Sequence, residues 1–304
     1  MIYSSQTKPL DLTAIILTKD EHLHIARCLE NVNRIAKKIF VIDCHSTDGT
    51  QDIARSLGAE VIEHDWLGNQ AAQFNWALDN LQIDTEWILR LDADEYLTDE
   101  LIKELETYVP YAPEDVSALV LPLGRAFMGR VLKHGIVNGV SMIRMFRRGK
   151  ARYENRIMDE HLQVLEGVTH TCKHQFIDDN RMPLSHFIAK HNAYADREAR
   201  LLLEQEFGNA EIEEGYADSV KSKRGQKAMY ARMPLFWRAF GYFCYRYFIK
   251  LGFLDGKEGF LWDFLQGWWY RTLVDAKVYE IKRKSEGKPE RIRAILKDEY
   301  NIHI

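Results

Sequence analysis

Two aspartates, Asp92 and Asp94, close the apolar run EWILRLDADEYL. Side chains on an extended strand repeat with period two, so this spacing predicts both carboxylates on one face. Paired hard oxygens suit Mg2+ or Mn2+ bridging to a diphosphate, the cation neutralising a leaving group that departs as an anion. The competing account is a pair of surface acids before a helix whose first turn, with Asp99 and Glu100, offsets the helix dipole. Asp43 closes another apolar run, KIFVID, where an unpaired buried carboxylate is costly and a base N–H or a ribose hydroxyl would satisfy it. Ser46, Thr47 and Asp48 behind it are explained by a turn and a helix N-cap. His170, Cys172 and His174 alternate along an expected strand, but no fourth ligand stands at a familiar zinc spacing, and they read as sheet residues.

The elements that must position these groups alternate. LTAIILT (12–18) is a strand, and Ile25, Leu29 and Val32 recur behind it at helical spacing. KIFVID (38–43) is a second strand; a helix from Thr50 stops at Gly58, and AEVIEH is a third strand. After a Gly68-Asn69 turn, QAAQFNWALDNL reads as a helix with Phe74, Ala77, Leu78 and Leu81 on one face, followed by the strand that carries Asp92. This order predicts an α/β fold, a parallel sheet covered by helices, with ligands beyond the carboxyl ends of the strands. Those ends carry Thr18-Lys19-Asp20-Glu21, Asp43 to Asp48 and Asp92 to Glu95, three polar clusters converging on one rim. Between about 115 and 180 the short runs VSALVLPL, SMIRMFRR, HLQVLEG and THTCKHQFI predict a mixed or antiparallel segment, and a long helix is expected over 183–206.

With 304 residues, 46% of them apolar and 28% charged, the composition excludes disordered, collagenous and disulfide-built chains. The formal charge of −4 is uneven: residues 221–304 carry +9 and residues 1–220 carry −13. Four dispersed cysteines and an N-terminal segment without an apolar core suggest a reducing, cytosolic compartment. No uncharged apolar run reaches the roughly 18 residues of a spanning helix.

The motifs AIILTKDE, VIDCHSTDGT and RLDADEYL, in this order, resemble the nucleotide-diphosphate-sugar half of a family 2 glycosyltransferase with the GT-A fold. The resemblance continues through HG, IRMFRRGKARYENRIMDEHL and KHNAYADREA into GFLDGKEGF, nearly the whole chain, and is similar to bacterial, non-processive members that build lipopolysaccharide cores and exopolysaccharides. It implies a nucleotide-sugar-binding half over 1–115, an acceptor and catalytic half over 116–207, and an appended helical region over 208–304. By resemblance, Thr18 and Asp43 hold the nucleoside of a nucleotide-diphosphate sugar, a UDP-sugar, with Asp43 at the uracil. Asp92 and Asp94 form the D-x-D that binds Mn2+ or Mg2+, with Asp94 the direct ligand, and His174 falls near a histidine that related chains place by the metal-diphosphate. Asp159 and Glu160 match the place of the general base, which takes the proton of the acceptor hydroxyl as it attacks with inversion. Two departures stand out: Asp43-Cys44-His45-Ser46 replaces the usual Asp-Asp-Gly-Ser, and Phe74 stands where a basic residue often precedes Asn75. No Q-x-x-R-W motif is present, which argues against processive polymerisation.

Phe236, Phe240, Phe243 and Tyr247 form an expected helical stripe interleaved with Arg238, Arg246 and Lys250, followed by Trp262, Trp268, Trp269, Tyr270 and Lys282-Arg283-Lys284. Basic charge with interfacial aromatics predicts amphipathic helices lying on an anionic leaflet, which would hold the protein peripherally on the inner face of the cell membrane near a lipid-linked glycan acceptor. Nucleic acid is not an expected partner, since the acidic body would repel it. The rival readings are a metal-dependent nucleotidyltransferase, for which no glycine-rich triphosphate loop follows the first strand, and a nucleotide-binding membrane scaffold without turnover.

Overall fold

A computed structural model describes residues 9–137, 139–154, 161–207 and 233–300. Two compact units emerge, one of residues 1–133 and 137–181, the other of 134–136 and 182–304. The first opens as the apolar periodicity dictates: β1 (Leu12–Thr18), α1 (Ile25–Val32), β2 (Lys38–Asp43), α2 (Thr50–Ser56), β3 (Glu60–Glu63), α3 (Gln70–Asn80) and β4 (Trp87–Asp92). Strands β3-β2-β1-β4 are parallel neighbours in that order. Asn69 caps α3 by accepting from Ala72 N at 2.6 Å, and Thr98 caps α4 (Asp99–Tyr108) by accepting from Leu101 N at 3.2 Å.

Beyond β4 the sheet becomes mixed. β5 (Glu95–Leu97) follows a tight turn, then come β6 (Val116–Phe127), β7 (Arg130–Leu132), β8 (Ser141–Arg147), β9 (Ala151–Tyr153), β10 (Leu162–Val164), β11 (Val168–Thr171) and β12 (Phe176–Asp178). The order β3-β2-β1-β4-β8-β6-β12-β5 makes β8 antiparallel to both β4 and β6, while β11 and β12 run parallel to β6. One core layer packs Leu12, Ala14, Ile16, Val41 and Leu89 against Ile25, Leu29 and Val32 of α1; the other face packs Ile15, Phe40, Ile42 and Ile88 against Phe74 and Ala77 of α3. Both faces of β1 are therefore buried, which is why its sequence is a continuous apolar run rather than an alternation.

The second unit is helical: α5 (Leu184–Phe207), α6 (Trp237–Cys244), α7 (Gly256–Trp262), α8 (Tyr270–Lys284) and α9 (Pro289–Tyr300). Ala195, Ala199 and Leu203 of α5 pack with Val274, Val278 and Ile281 of α8 and Ile292 of α9. The sheet runs through both expected halves, with β6 beginning at Val116, while α5, expected within the 116–207 half, falls in the unit of the C-terminal helices. The expected stripe is also interrupted. Phe236 precedes α6 with φ +68°, and Tyr245–Ile249 widens into a π-helical stretch, so the i, i+4, i+7, i+11 register is not kept. Phe243 turns inward while Trp237, Phe248 and Ile249 are exposed at 73%, 56% and 69%.

Buried ion pairs hold this unit. Arg238 donates through Nε to Asp275 at 2.8 Å, and Arg246 through Nε to Asp263 at 2.7 Å. Asp255 receives His134 N at 2.7 Å and lies 2.9 Å from His134 Nδ1. Gly135, at φ +75°, passes so close that a Cβ there would lie 3.0 Å from Asp263 Oδ1, and the His134–Asp255 contacts join the two parts HG and GFLDGKEGF. A hollow of about 610 Å³ is lined by Tyr247, Phe253, Gly256, Lys257, Phe260 and Leu261.

Candidate functional site

The carboxyl ends of β1, β2 and β4 form the rim that strand-helix alternation predicts. Thr18 is the register partner of Asp43, and Leu17 that of Asp92, so Asp43 and Asp92 lie two strand spacings apart, about 10 Å. Asp43 is fully buried. Its Oδ2 accepts from Thr18 Oγ1 at 2.7 Å and Ser46 Oγ at 2.6 Å, and its Oδ1 accepts from Ser46 N and Gln51 Nε2, both at 2.7 Å. Burial pushes this carboxyl up, but the Ser46, Thr18 and Gln51 hydrogen bonds outweigh it and hold Asp43 below the usual carboxylate range. The need for a donor that the sequence suggested a nucleoside would meet is thus met from within the chain, by the turn that follows β2.

That turn carries a strained residue. His45 has φ +60°, where the usual family pattern has glycine. Its ring bridges Asp65 at 2.8 Å and Glu63 at 3.2 Å, and its carbonyl accepts from Lys19 Nζ at 2.7 Å. Hydrogen bonds to Asp65 and Glu63 raise its pKa above the ordinary histidine value.

Asp92 and Asp94 do not share a strand face. Asp92 ends β4, and the chain turns at Ala93-Asp94 before β5 begins, so period-two geometry stops two residues short of Asp94. Asp92 is flanked by guanidinium groups, its Oδ1 2.9 Å from Arg90 Nη2 and its Oδ2 3.4 Å from Arg144 Nη2. Arg144 also pairs with Glu95, whose other oxygen accepts from Asp92 N at 2.9 Å. Glu95 and Arg144 are both buried; burial pushes the Glu95 carboxyl up, with the Arg144 guanidinium opposing it. Asp94 meets a different set: its Oδ2 accepts from Asn180 Nδ2 at 2.9 Å, and its carbonyl accepts from Arg27 Nη2 at 3.0 Å and Asp179 N at 3.0 Å.

Sequence reasoning missed Arg27, Arg90, Arg144, Asp179 and Asn180. Arg27 on α1 pairs with the buried Asp179 carboxylate and with Asp179 O, fixing both acidic turns at once. Buried His24 accepts at Nε2 from Arg181 N at 2.8 Å, so the Nδ1 proton faces Glu21 at 2.5 Å. A signal existed for the second turn: Asp178-Asp179-Asn180 ends a strand, as Asp92 does, and only parallel pairing with β6 was needed to bring it to the rim. The arginines left no such trace, since single cations on strands and helices are ordinary.

The donor set fits a divalent cation at Asp94. Asp179 Oδ1 is buried without a hydrogen-bond partner, an acceptor that a cation or water would take up. Asp94 Oδ2 and Asp179 Oδ1 supply hard oxygens in the same corner, the other Asp179 oxygen being paired with Arg27 and Arg181. His174 stands elsewhere: its Nδ1 lies 2.8 Å from Glu104 Oε2 on α4. Asp159 and Glu160 lie outside the described residues. His191 of the second unit, on KHNAYADREA, is half-buried; its Nδ1 donates to Phe187 O at 2.8 Å and its Nε2 lies 2.6 Å from Gln266 Nε2. Burial lowers its pKa below the ordinary histidine value.

An uncharacterized glycosyltransferase of Rickettsia felis is 43% identical over 95 residues, which is 31% of this chain and 32% of the relative. The lipopolysaccharide core biosynthesis glycosyltransferase LpsC of Rhizobium meliloti is 29% identical over 150 residues, 48% of this chain and 54% of LpsC. The matches thus span about a third to a half of the length of these curated relatives. A crystal structure of residues 1–349 of S. aureus TarS aligns over 91% of this chain and 92% of its own at 13% identity, with a TM-score of 0.41. The sequence profile of glycosyl transferase family 2 matches residues 13–199, from β1 into α5. That match covers more than half of the chain and takes in its parallel sheet, and the chain belongs to glycosyl transferase family 2.

Proposed function

We propose that this protein is an inverting, non-processive glycosyltransferase that moves a sugar from a nucleotide-diphosphate donor, a UDP-sugar, to a hydroxyl of a lipid-linked glycan in bacterial cell-surface polysaccharide synthesis. The observation that carries the reading is the meeting of Asp94 with Asn180 and Asp179 at the carboxyl edge of a family 2 sheet. Likeness to LpsC, a lipopolysaccharide core biosynthesis glycosyltransferase, supports the acceptor class.

Asp94, with Asp179 beside it, would hold Mn2+ or Mg2+, which supplies positive charge to a departing diphosphate. Arg27 keeps the Asp94 and Asp179 backbones in register, and Arg90 and Arg144 orient Asp92 toward the donor ribose. Thr18, Ser46 and Gln51 hold Asp43 ionised, so that Asp43 shapes the nucleoside wall through the turn it anchors. Glu160, or Asp159, takes the acceptor proton as the hydroxyl oxygen bonds to the anomeric carbon from the face opposite the nucleotide. The bond to the diphosphate oxygen breaks and its electron pair leaves with the nucleotide, so an α-linked donor gives a β-glycoside.

The helical unit supports attachment to an anionic membrane surface. Trp237, Phe248, Ile249, Phe253 and Leu254 are exposed beside Lys250 and Lys257, the combination that favours an in-plane position at a lipid interface. No helix among the described residues is long and apolar enough to cross a membrane. Removing the tail is a poor test, because α5 packs on α8 and α9. In the full chain, Trp237→Ser with Phe248→Ser and Ile249→Ser should abolish flotation with anionic vesicles; undiminished flotation would refute the attachment.

The donor reading is tested by thermal shift with UDP, GDP, CDP and their sugars, with and without Mn2+. Metal-dependent stabilisation by a uridine nucleotide, lost in Asp94→Asn, is expected. A folded protein that responds to none of them would not be a nucleotide-sugar transferase.

A further inference from the structure

Three side chains that the donor site does not use converge on the far end of α4. Glu104 of α4, His170 of β11 and Cys172 just beyond it each place one ligating atom within 4.8 Å of the other two. Two of them are the residues whose alternation suggested zinc and was set aside for want of another ligand. The missing ligand comes from a helix some 66 positions earlier, a distance along the chain that no spacing rule covers. We propose that Glu104, His170 and Cys172 form a second metal site, for Zn2+ or a cation of similar softness, separate from the D-x-D corner.

The set is chemically apt, a thiolate, an imidazole and a carboxylate being the ligands that Zn2+ takes in tetrahedral sites, with water or one further group in the remaining position. The surroundings fix each ligand. Glu104 accepts from Lys173 N at 2.9 Å and His174 N at 3.0 Å, and the His174 ring is 2.8 Å from the same carboxylate. These contacts orient the carboxylate as outer partners orient ligands in metal sites. The His170 ring is stacked on Tyr108 at 4.0 Å between centroids, 15° from parallel. Cys172 is buried whereas Glu104 and His170 are partly exposed, so the sulfur sits in a dry floor with an open approach. As the S–metal bond forms, the thiol gives up its proton to solvent. A cation here would tie the C-terminal half of α4 to the end of β11.

Cobalt provides a readout independent of turnover. The full-length protein, stripped with chelator, is titrated with Co2+ while the thiolate-to-cobalt absorption in the near ultraviolet and the visible d–d bands are followed; Zn2+ is then added. One equivalent of Co2+ should give both bands, and Zn2+ should bleach them. The bands should persist in Asp94→Asn and Cys44→Ser, vanish in Cys172→Ser, and require about 10–100-fold more cobalt in His174→Ala. Absence of the thiolate band in the native protein, or its survival in Cys172→Ser, would overturn the site. Circular dichroism of each variant distinguishes loss of a ligand from loss of fold.

Discussion

Thr18 Oγ1 donates to Asp43 Oδ2 at 2.7 Å, and the two residues are register partners at the carboxyl edge of adjacent parallel strands. The contact locks the end of β1 to the turn after β2, so it reports on the whole nucleoside wall. Thr18→Val keeps the shape and removes one donor from a buried carboxylate. Urea unfolding should show a loss of about 1–3 kcal/mol.

Asp43 and Asp48 are both held below the usual carboxylate range. For Asp48 burial again opposes, and hydrogen bonds from Thr50 and His22 prevail. A depressed folded pKa contributes stability that is present above the unfolded value, near 3.8, and is lost as pH falls below it. Melting temperature should therefore drop steeply below about pH 4. Asp43→Asn should melt lower at neutral pH yet show a shallower acid limb; parallel curves for the two proteins would contradict this assignment.

His45 has a raised pKa, the opposite case. Its charge-linked stability is present below the ordinary histidine value, 6.5, and is lost as pH rises through the higher folded value. His45→Gly removes left-handed strain at every pH but the Asp65 and Glu63 contacts only where histidine is charged. The melting temperature of the variant minus that of the native protein should accordingly increase between about pH 5.5 and pH 8.5. A pH-independent difference would mean that the ring contacts carry no charge.

Arg144 neutralises Glu95 in the interior. Arg144→Met leaves a buried carboxylate without its counter-charge and should cost about 3–5 kcal/mol in denaturant unfolding. The double variant Arg144→Met with Glu95→Gln should recover most of that loss. Without recovery, the arginine would be acting through packing alone.

Asp94 and Asp92 should separate by function. Asp94 is partly exposed and keeps an amide partner when changed to Asn, so stability should move by no more than about 0.5 kcal/mol. Donor turnover should fall by about 100-fold or more. Asp92→Asn, which removes the carboxylate charge that Arg90 and Arg144 share, should lower melting temperature as well as turnover.

How much of this was legible can be judged from particular residues. Apolar periodicity sufficed for β1 to β4 and their helices, because each element is set by neighbours a few residues away and by burial on one or both faces. The same reasoning placed Thr18, Asp43 and Asp92 on one rim, since in a parallel sheet every strand ends on the same side. It failed at Asp94, where a turn interrupts the period, and at the aromatic stripe, where a π-helical stretch shifts the register. Tertiary structure alone decided the rest: Asn180 reaches Asp94 from 86 residues away because β12 lies between β6 and β5. It likewise brought Glu104 to Cys172 and joined α5 to α8. Such contacts depend on which strands and helices become neighbours, a choice made by burial of whole faces and left unmarked in local spacing.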